Sequence, residues 1–209
     1  MITLLITRPN YEKTTYYLFH WNKKILTEAQ DKKVNVIDLA EKRANKKELV
    51  SALSKRNPGF VILNGHGDAN LITGQENETL IKAGENEQLL EGKVVYALSC
   101  KTAQTLGPAS MKKGCKLYIG YSEDFTFWFK SPRPLEDPWA RYFLDTSNSI
   151  PIGLLKGHTV KEVYERAKSL NLKNIRKLIA TKSPDSFLIP DLLWNMSNLR
   201  YLGKADAHL

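Results

Sequence analysis

Short apolar blocks alternate with amphipathic stretches along this chain. Ile2–Thr7 is apolar, rich in β-branched residues and closed by Arg8-Pro9, the pattern of a buried strand. From Tyr11 to Gln30 the apolar residues Leu18, Trp21, Ile25 and Ala29 recur every three or four positions, which predicts one amphipathic helix. Val34–Leu39 reads as a second strand. Lys46–Lys55, with Leu49, Ala52 and Leu53 on one side, reads as a second helix, stopped by Asn57-Pro58-Gly59. Phe60–Leu63 is the third strand. Leu71-Ile72-Thr73 and Thr79-Leu80-Ile81 predict a small hairpin. Lys93–Leu98 is a strand, Thr102–Lys113 a helix ended by Gly114, and Lys116–Tyr121 a strand. This order predicts a single α/β domain over residues 1–209, with about six mostly parallel strands and helices on both faces.

The last third is less regular. Phe125–Phe129 alternates, and is read either as an edge strand packed on the core or as the apolar wall of a cleft. A proline-rich loop, SPRPLEDP, follows, then a helical Trp139–Leu144. Thr159-Val160-Lys161-Glu162 is a capping box opening a helix to about Leu170. Leu192–Met196 and Leu199–Leu202 flank Ser197-Asn198 as a hairpin or bent final strand.

Composition narrows the class. A hydrophobic share of 42% and a charged share of 25% are those of a globular protein. No apolar run approaches the roughly 18 residues of a membrane span, and MITLLITRPN lacks a basic n-region. Two cysteines without framework spacing point to a reducing, cytoplasmic setting. The net charge of +9 would suit nucleic acid or an acidic partner, but the lysine pairs are spread along the chain and read as solvated surface. No CxxC or phosphate-loop glycine pattern is present, so neither a metal nor another cofactor is expected.

Candidate chemistry sits at two strand ends. Strand three runs into Asn64-Gly65-His66-Gly67, and strand four into Ser99-Cys100. In open α/β sheets, sites form beyond the carboxyl ends of the strands. If these two strands are parallel neighbours, His66 and Cys100 share one rim, as a thiol nucleophile and its base require. A helix starting just after Cys100 would favour its thiolate. The N–H groups of Gly67 and Cys100 are candidate oxyanion donors. Cys115, His20, His158 and His208 read as structural or solvated.

An apolar strand ending in His-Gly, followed by an apolar strand ending in Ser-Cys, resembles the caspase-like cysteine peptidases: caspases, metacaspases, gingipains, separases and the CHAT-type bacterial proteases. LSCKTA is similar to the CHAT and gingipain form of the cysteine motif. KKGCKLYIGY, SIPIGLLKGHTVKEVYERAK and LLWNMSNLRYLG resemble later segments of bacterial members. The resemblance implies a three-layer α-β-α sandwich and a cysteine endopeptidase, with Cys100 as nucleophile, His66 as base and Gly67 in the oxyanion hole. It implies no obligatory cofactor, although calcium activates some relatives. Leu98-Ser99 stand where true caspases carry Gln-Ala before the cysteine, which argues against aspartate at P1. Many bacterial relatives cleave after basic residues, and Asp68, Glu123 and Asp124 are the candidate acids for such a subsite. The chain reads as a minimal catalytic domain acting on protein or peptide, with a regulatory protein partner in signalling or defence. A degenerate interaction module of the same fold and a basic nucleic-acid-binding domain are the alternative readings.

Overall fold

A computed structural model describes residues 2–209. The main sheet has the order β2-β1-β3-β6-β7-β8, formed by Asn35–Ala40, Thr3–Arg8, Phe60–Asn64, Val94–Leu98, Leu117–Tyr121 and Leu199–Gly203. The first five of these strands are parallel, and β8 closes the edge antiparallel to β7. Leu71–Thr73 (β4) and Thr79–Lys82 (β5) form a separate antiparallel hairpin. The helices are α1 (Lys13–Trp21), α2 (Lys23–Asp31), α3 (Lys46–Arg56), α4 (Leu106–Lys112), α5 (Pro138–Leu155), α6 (Val160–Ala180) and α7 (Ile189–Asn198).

Strand periodicity builds two cores. Leu4, Ile6, Phe60, Ile62, Val94, Tyr96, Leu117 and Ile119 point to one face, where they meet residues of α1, α2, α5 and α6. Leu5, Val61, Leu63, Val95, Ala97 and Tyr118 point to the other, against α3, α4 and the hairpin. All residues of β3, β6 and β7 are buried, which is why these strands are apolar or aromatic apart from Gly120 and Asn64 at the end of β3.

Several elements differ from the sequence expectation. The single helix expected over Tyr11–Gln30 is two, meeting at Asn22, with Leu18, Trp21, Ile25 and Ala29 all buried. Trp139–Leu144 is the first part of an 18-residue helix that passes through Pro151. Proline there has no N–H for the Ser147 carbonyl, which instead accepts from the Tyr96 hydroxyl at 3.1 Å. The helix opened by the Thr159 capping box runs to Ala180 rather than Leu170. Leu192–Met196 lies in a helix, α7, so only Leu199–Gly203 is strand. Among the described residues no helix is long and apolar enough to cross a membrane.

Candidate active site

β3 and β6 are parallel neighbours, and their last paired residues are Asn64 and Leu98. His66 and Cys100 each follow two residues later, so both leave the sheet at one carboxyl rim. Both line one cavity of about 570 Å³, together with Thr14, Phe125–Phe129 and Asp191. Below them, Asn64 locks β3 to β1. Its amide donates to the Thr7 carbonyl at 2.7 Å, and its N–H to the Thr7 hydroxyl at 2.9 Å.

The His66 turn is pinned to the hairpin. The His66 carbonyl accepts from the Thr73 N–H at 2.8 Å, and the Asp68 N–H donates to the Leu71 carbonyl at 3.1 Å. Gly67 lies between these bonds, opposite Ile72, and its own N–H is left out of the ladder. A Cβ at Gly67 would stand 2.2 Å from Ser99 Oγ and 2.7 Å from the Leu71 carbonyl oxygen. A hydrogen is all that fits where the His66 and Cys100 loops touch. Neither the Gly67 nor the Cys100 N–H donates to a protein acceptor among the described residues. The loops that carry His66 and Cys100 thus each hold an N–H group with no protein acceptor among those residues.

His66 lies beside Glu12, a residue the sequence reading passed over. Glu12 Oε1 lies 3.3 Å from His66 Nε2. The same carboxylate caps α1, accepting from the Thr15 N–H at 2.6 Å and the Thr14 N–H at 2.7 Å. Burial alone would raise the Glu12 carboxyl. The Thr15 and Thr14 donors and the His66 ring outweigh it and hold the carboxyl below its ordinary value. The carboxylate is thus an anion held beside Nε2 by the helix it caps. The only sequence signal was Glu12 followed three residues later by Thr15, a capping pair that marks a helix start but not what else the carboxylate faces.

The expectation of a helix-assisted thiolate does not hold. α4 begins at Leu106, because the segment after Cys100 pairs with the end of β7 instead of coiling. The Lys101 N–H donates to the Glu123 carbonyl and the Ala103 N–H to the Tyr121 carbonyl, with Lys101 in the left-handed region. No helix end therefore faces the half-buried Cys100. Burial pushes its thiol above the ordinary value. Asp124 adds to the rise, while the Phe125 N–H and the Lys101 ammonium oppose it. Among the described residues no hydrogen bond joins Cys100 to His66. Cys115 is buried, and its sulfur contacts the Lys93 and Leu117 carbonyls at 3.3 Å.

The three acids named from sequence lie outside the cavity lining. Asp68 Oδ1 accepts from the N–H groups of Asn70 and Leu71, an Asx-type turn. Glu123 accepts from the Gln104 amide at 3.3 Å. Asp124 pairs with Lys101 at 3.1 Å. The acid that does line the cavity is Asp191, in the first turn of α7. It accepts from the Trp128 indole at 2.7 Å and the Thr126 hydroxyl at 3.2 Å. Sequence reasoning missed it because a strand was expected just beyond it.

Phe125–Phe129 is the apolar wall of the cavity rather than an edge strand. α7 holds it: Asn195 accepts from the Thr126 N–H and donates to the Thr126 carbonyl, and the Trp194 indole donates to the Asp124 carbonyl at 2.9 Å. At the far end, Asp137 accepts from the N–H groups of Lys130 and Ser131. Between these anchors the backbone groups of Phe127–Phe129 have no protein partner among the described residues. Among those residues no group of three His, Cys, Asp or Glu is placed to hold a metal ion. No family model matches the chain, and no curated protein matches it significantly.

Proposed function

We propose that this protein is a caspase-like cysteine endopeptidase. The observation that carries the reading is the convergence of His66 and Cys100, from adjacent parallel strands, on one cavity. Cys100 attacks the scissile carbonyl as His66 takes its proton. The Gly67 and Cys100 N–H groups hold the oxyanion, and His66 returns the proton to the leaving amine. Water then hydrolyses the thioester with His66 as base. Glu12 keeps the imidazole in the working tautomer and stabilises the imidazolium that forms. The unpaired backbone of Phe127–Phe129 offers a strand edge on which an extended substrate can lie.

Asp191 is the group placed to select the substrate. The aromatic wall suits the methylene stem of a lysine or arginine, and the carboxylate suits its charge. Fluorogenic peptides varied at P1 test this. Cleavage after Arg or Lys is expected, with kcat/KM for those peptides falling about tenfold to a hundredfold in Asp191→Asn. Preference for Asp, Leu or Gln, or an Asp191→Asn enzyme with unchanged selectivity, would remove the basic subsite.

Glu12→Gln tests the positioning role. Glutamine keeps an oxygen for capping α1 but loses the charge beside Nε2. The expected result is a kcat lowered about tenfold to a hundredfold, with KM and melting temperature close to the wild type. An unchanged kcat would leave Glu12 as a helix cap alone.

The degenerate interaction module is the second reading. It is favoured by the raised Cys100 thiol and by the lack of a direct bond to His66. It predicts no turnover of any peptide and no preferential labelling of Cys100.

A further inference from the structure

Beyond Glu165 the charge on the outer surface of α6 is uniformly basic. From Arg166 to Lys182 the chain carries six basic residues, Arg166, Lys168, Lys173, Arg176, Lys177 and Lys182, and no acidic one. None of the six enters an ion pair among the described residues. The lysine pairs that look scattered in the sequence draw attention away from this helix, where single cations are gathered by the 3.6-residue repeat.

The face has a definite shape. Val160, Val163, Ala167, Asn171, Ile175 and Leu178 turn inward. The opposite crest carries Leu172, Arg176 and Ile179, at i, i+4 and i+7. Leu172 is 39% exposed and Ile179 61% exposed, although both are apolar. On the flank of α6 that faces α5, a groove of about 350 Å³ runs between the two helices, with Lys173 and Lys177 on one wall and Arg141 on the other. The one carboxylate in its lining, Asp145, is paired with Lys24 at 2.5 Å, so its charge is already offset. Tyr142, Thr146 and Asn174 complete the floor together with Pro138 and Leu170.

We propose that this face docks an acidic, amphipathic segment of a partner protein, with its carboxylates in the α5–α6 groove and an apolar side chain on the Leu172–Ile179 crest. Charge complementarity sets the sign of the partner, since unpaired cations from two helices flank one concave surface. The crest sets its class. A phosphate backbone has no use for exposed leucine and isoleucine, and two apolar residues are too few to seat a helix in a lipid interface. The groove shares no lining residue with the cavity that holds Cys100. The inference does not depend on the peptidase reading.

The test uses the whole protein and three fluorescent probes in low salt. These are a helical peptide with glutamate on one face and leucine on the other, an oligo-uridylate of matched charge, and phosphatidylserine vesicles. The peptide is expected to bind best, and about tenfold more weakly to Lys173→Glu/Lys177→Glu. Ile179→Ser should weaken it severalfold with no change in salt dependence, because it removes apolar contact alone. Both variants change exposed side chains and should melt with the wild type. Peptide binding that ignores the charge reversal, or no peptide binding, would overturn the proposal. So would tighter binding of oligo-uridylate or vesicles that is lost in the double variant.

Discussion

Cys100→Ala is expected to abolish peptide hydrolysis, with a loss of about 10⁴-fold or more in kcat and an unchanged fold. Covalent labelling by an electrophilic peptide should vanish with it and persist in Cys115→Ala. Cys115 is buried, and its burial pushes the thiol up to about 11, so it presents neither access nor thiolate. The pH dependence gives a sharper check. Burial and Asp124 hold the Cys100 thiol above its ordinary value. A raised thiol pKa delays thiolate formation to higher pH. In the absence of substrate, alkylation of Cys100 by iodoacetamide should therefore climb steadily with pH and plateau only above the ordinary thiol range, about 8.5. A plateau near neutrality would mean that the resting site holds a thiolate–imidazolium pair, contrary to this geometry. Retained hydrolysis in Cys100→Ala would end the peptidase proposal outright.

How much of this was legible in the sequence depended on what each segment buries. β1, β3, β6 and β7 were plain, because strands covered on both faces are apolar through their middles, with Thr3, Thr7, Arg8 and Asn64 confined to strand ends. Their order put His66 and Cys100 on one rim on the condition that β3 and β6 were parallel neighbours, which they are. α6 was cut short because its inward stripe passes through Asn171, a buried polar residue that breaks the apolar repeat. α5 was cut short for the same reason, by Ser147, Asn148 and Pro151. α7 was mistaken for strand because a short apolar run has no period of its own, and Pro190 in its first turn was the one signal against that reading. The site residues that escaped, Glu12 and Asp191, lie on α1 and α7, far in sequence from both strand ends. A carboxylate that caps a helix, or one in a first turn, looks the same in sequence whether or not it also faces a histidine or a cavity.

Asp137→Ala is expected to destabilise the protein by about 3 kcal/mol, lowering the melting temperature by roughly 6–12 °C. Asp137 is fully buried and caps α5, accepting from the N–H groups of Trp139 at 2.9 Å and Ala140 at 3.1 Å. Its other oxygen takes the N–H groups of Lys130 at 2.7 Å and Ser131 at 2.6 Å, and the Tyr17 hydroxyl at 2.7 Å. Removing it leaves buried donors without an acceptor, which costs more than the bonds themselves contributed. Burial would raise the carboxyl, but the donors from Ser131, Tyr17, Ala140 and Lys130 prevail and hold it below its ordinary value. A depressed folded pKa contributes stability that is complete above the unfolded value, about 3.9, and is lost as pH falls through the folded one. The gap between wild type and Asp137→Ala should therefore be constant from about pH 5 to 8 and shrink below about pH 4. Denaturant melts at several pH values measure it, and a gap that persists undiminished at pH 3 would show that the loss is one of packing rather than charge. Because the same carboxylate ties down the end of the Phe125–Phe129 wall, the variant should also raise KM for peptides while the Cys100 alkylation rate stays near that of the wild type. A variant that melts lower yet keeps its KM would separate the wall from its anchor.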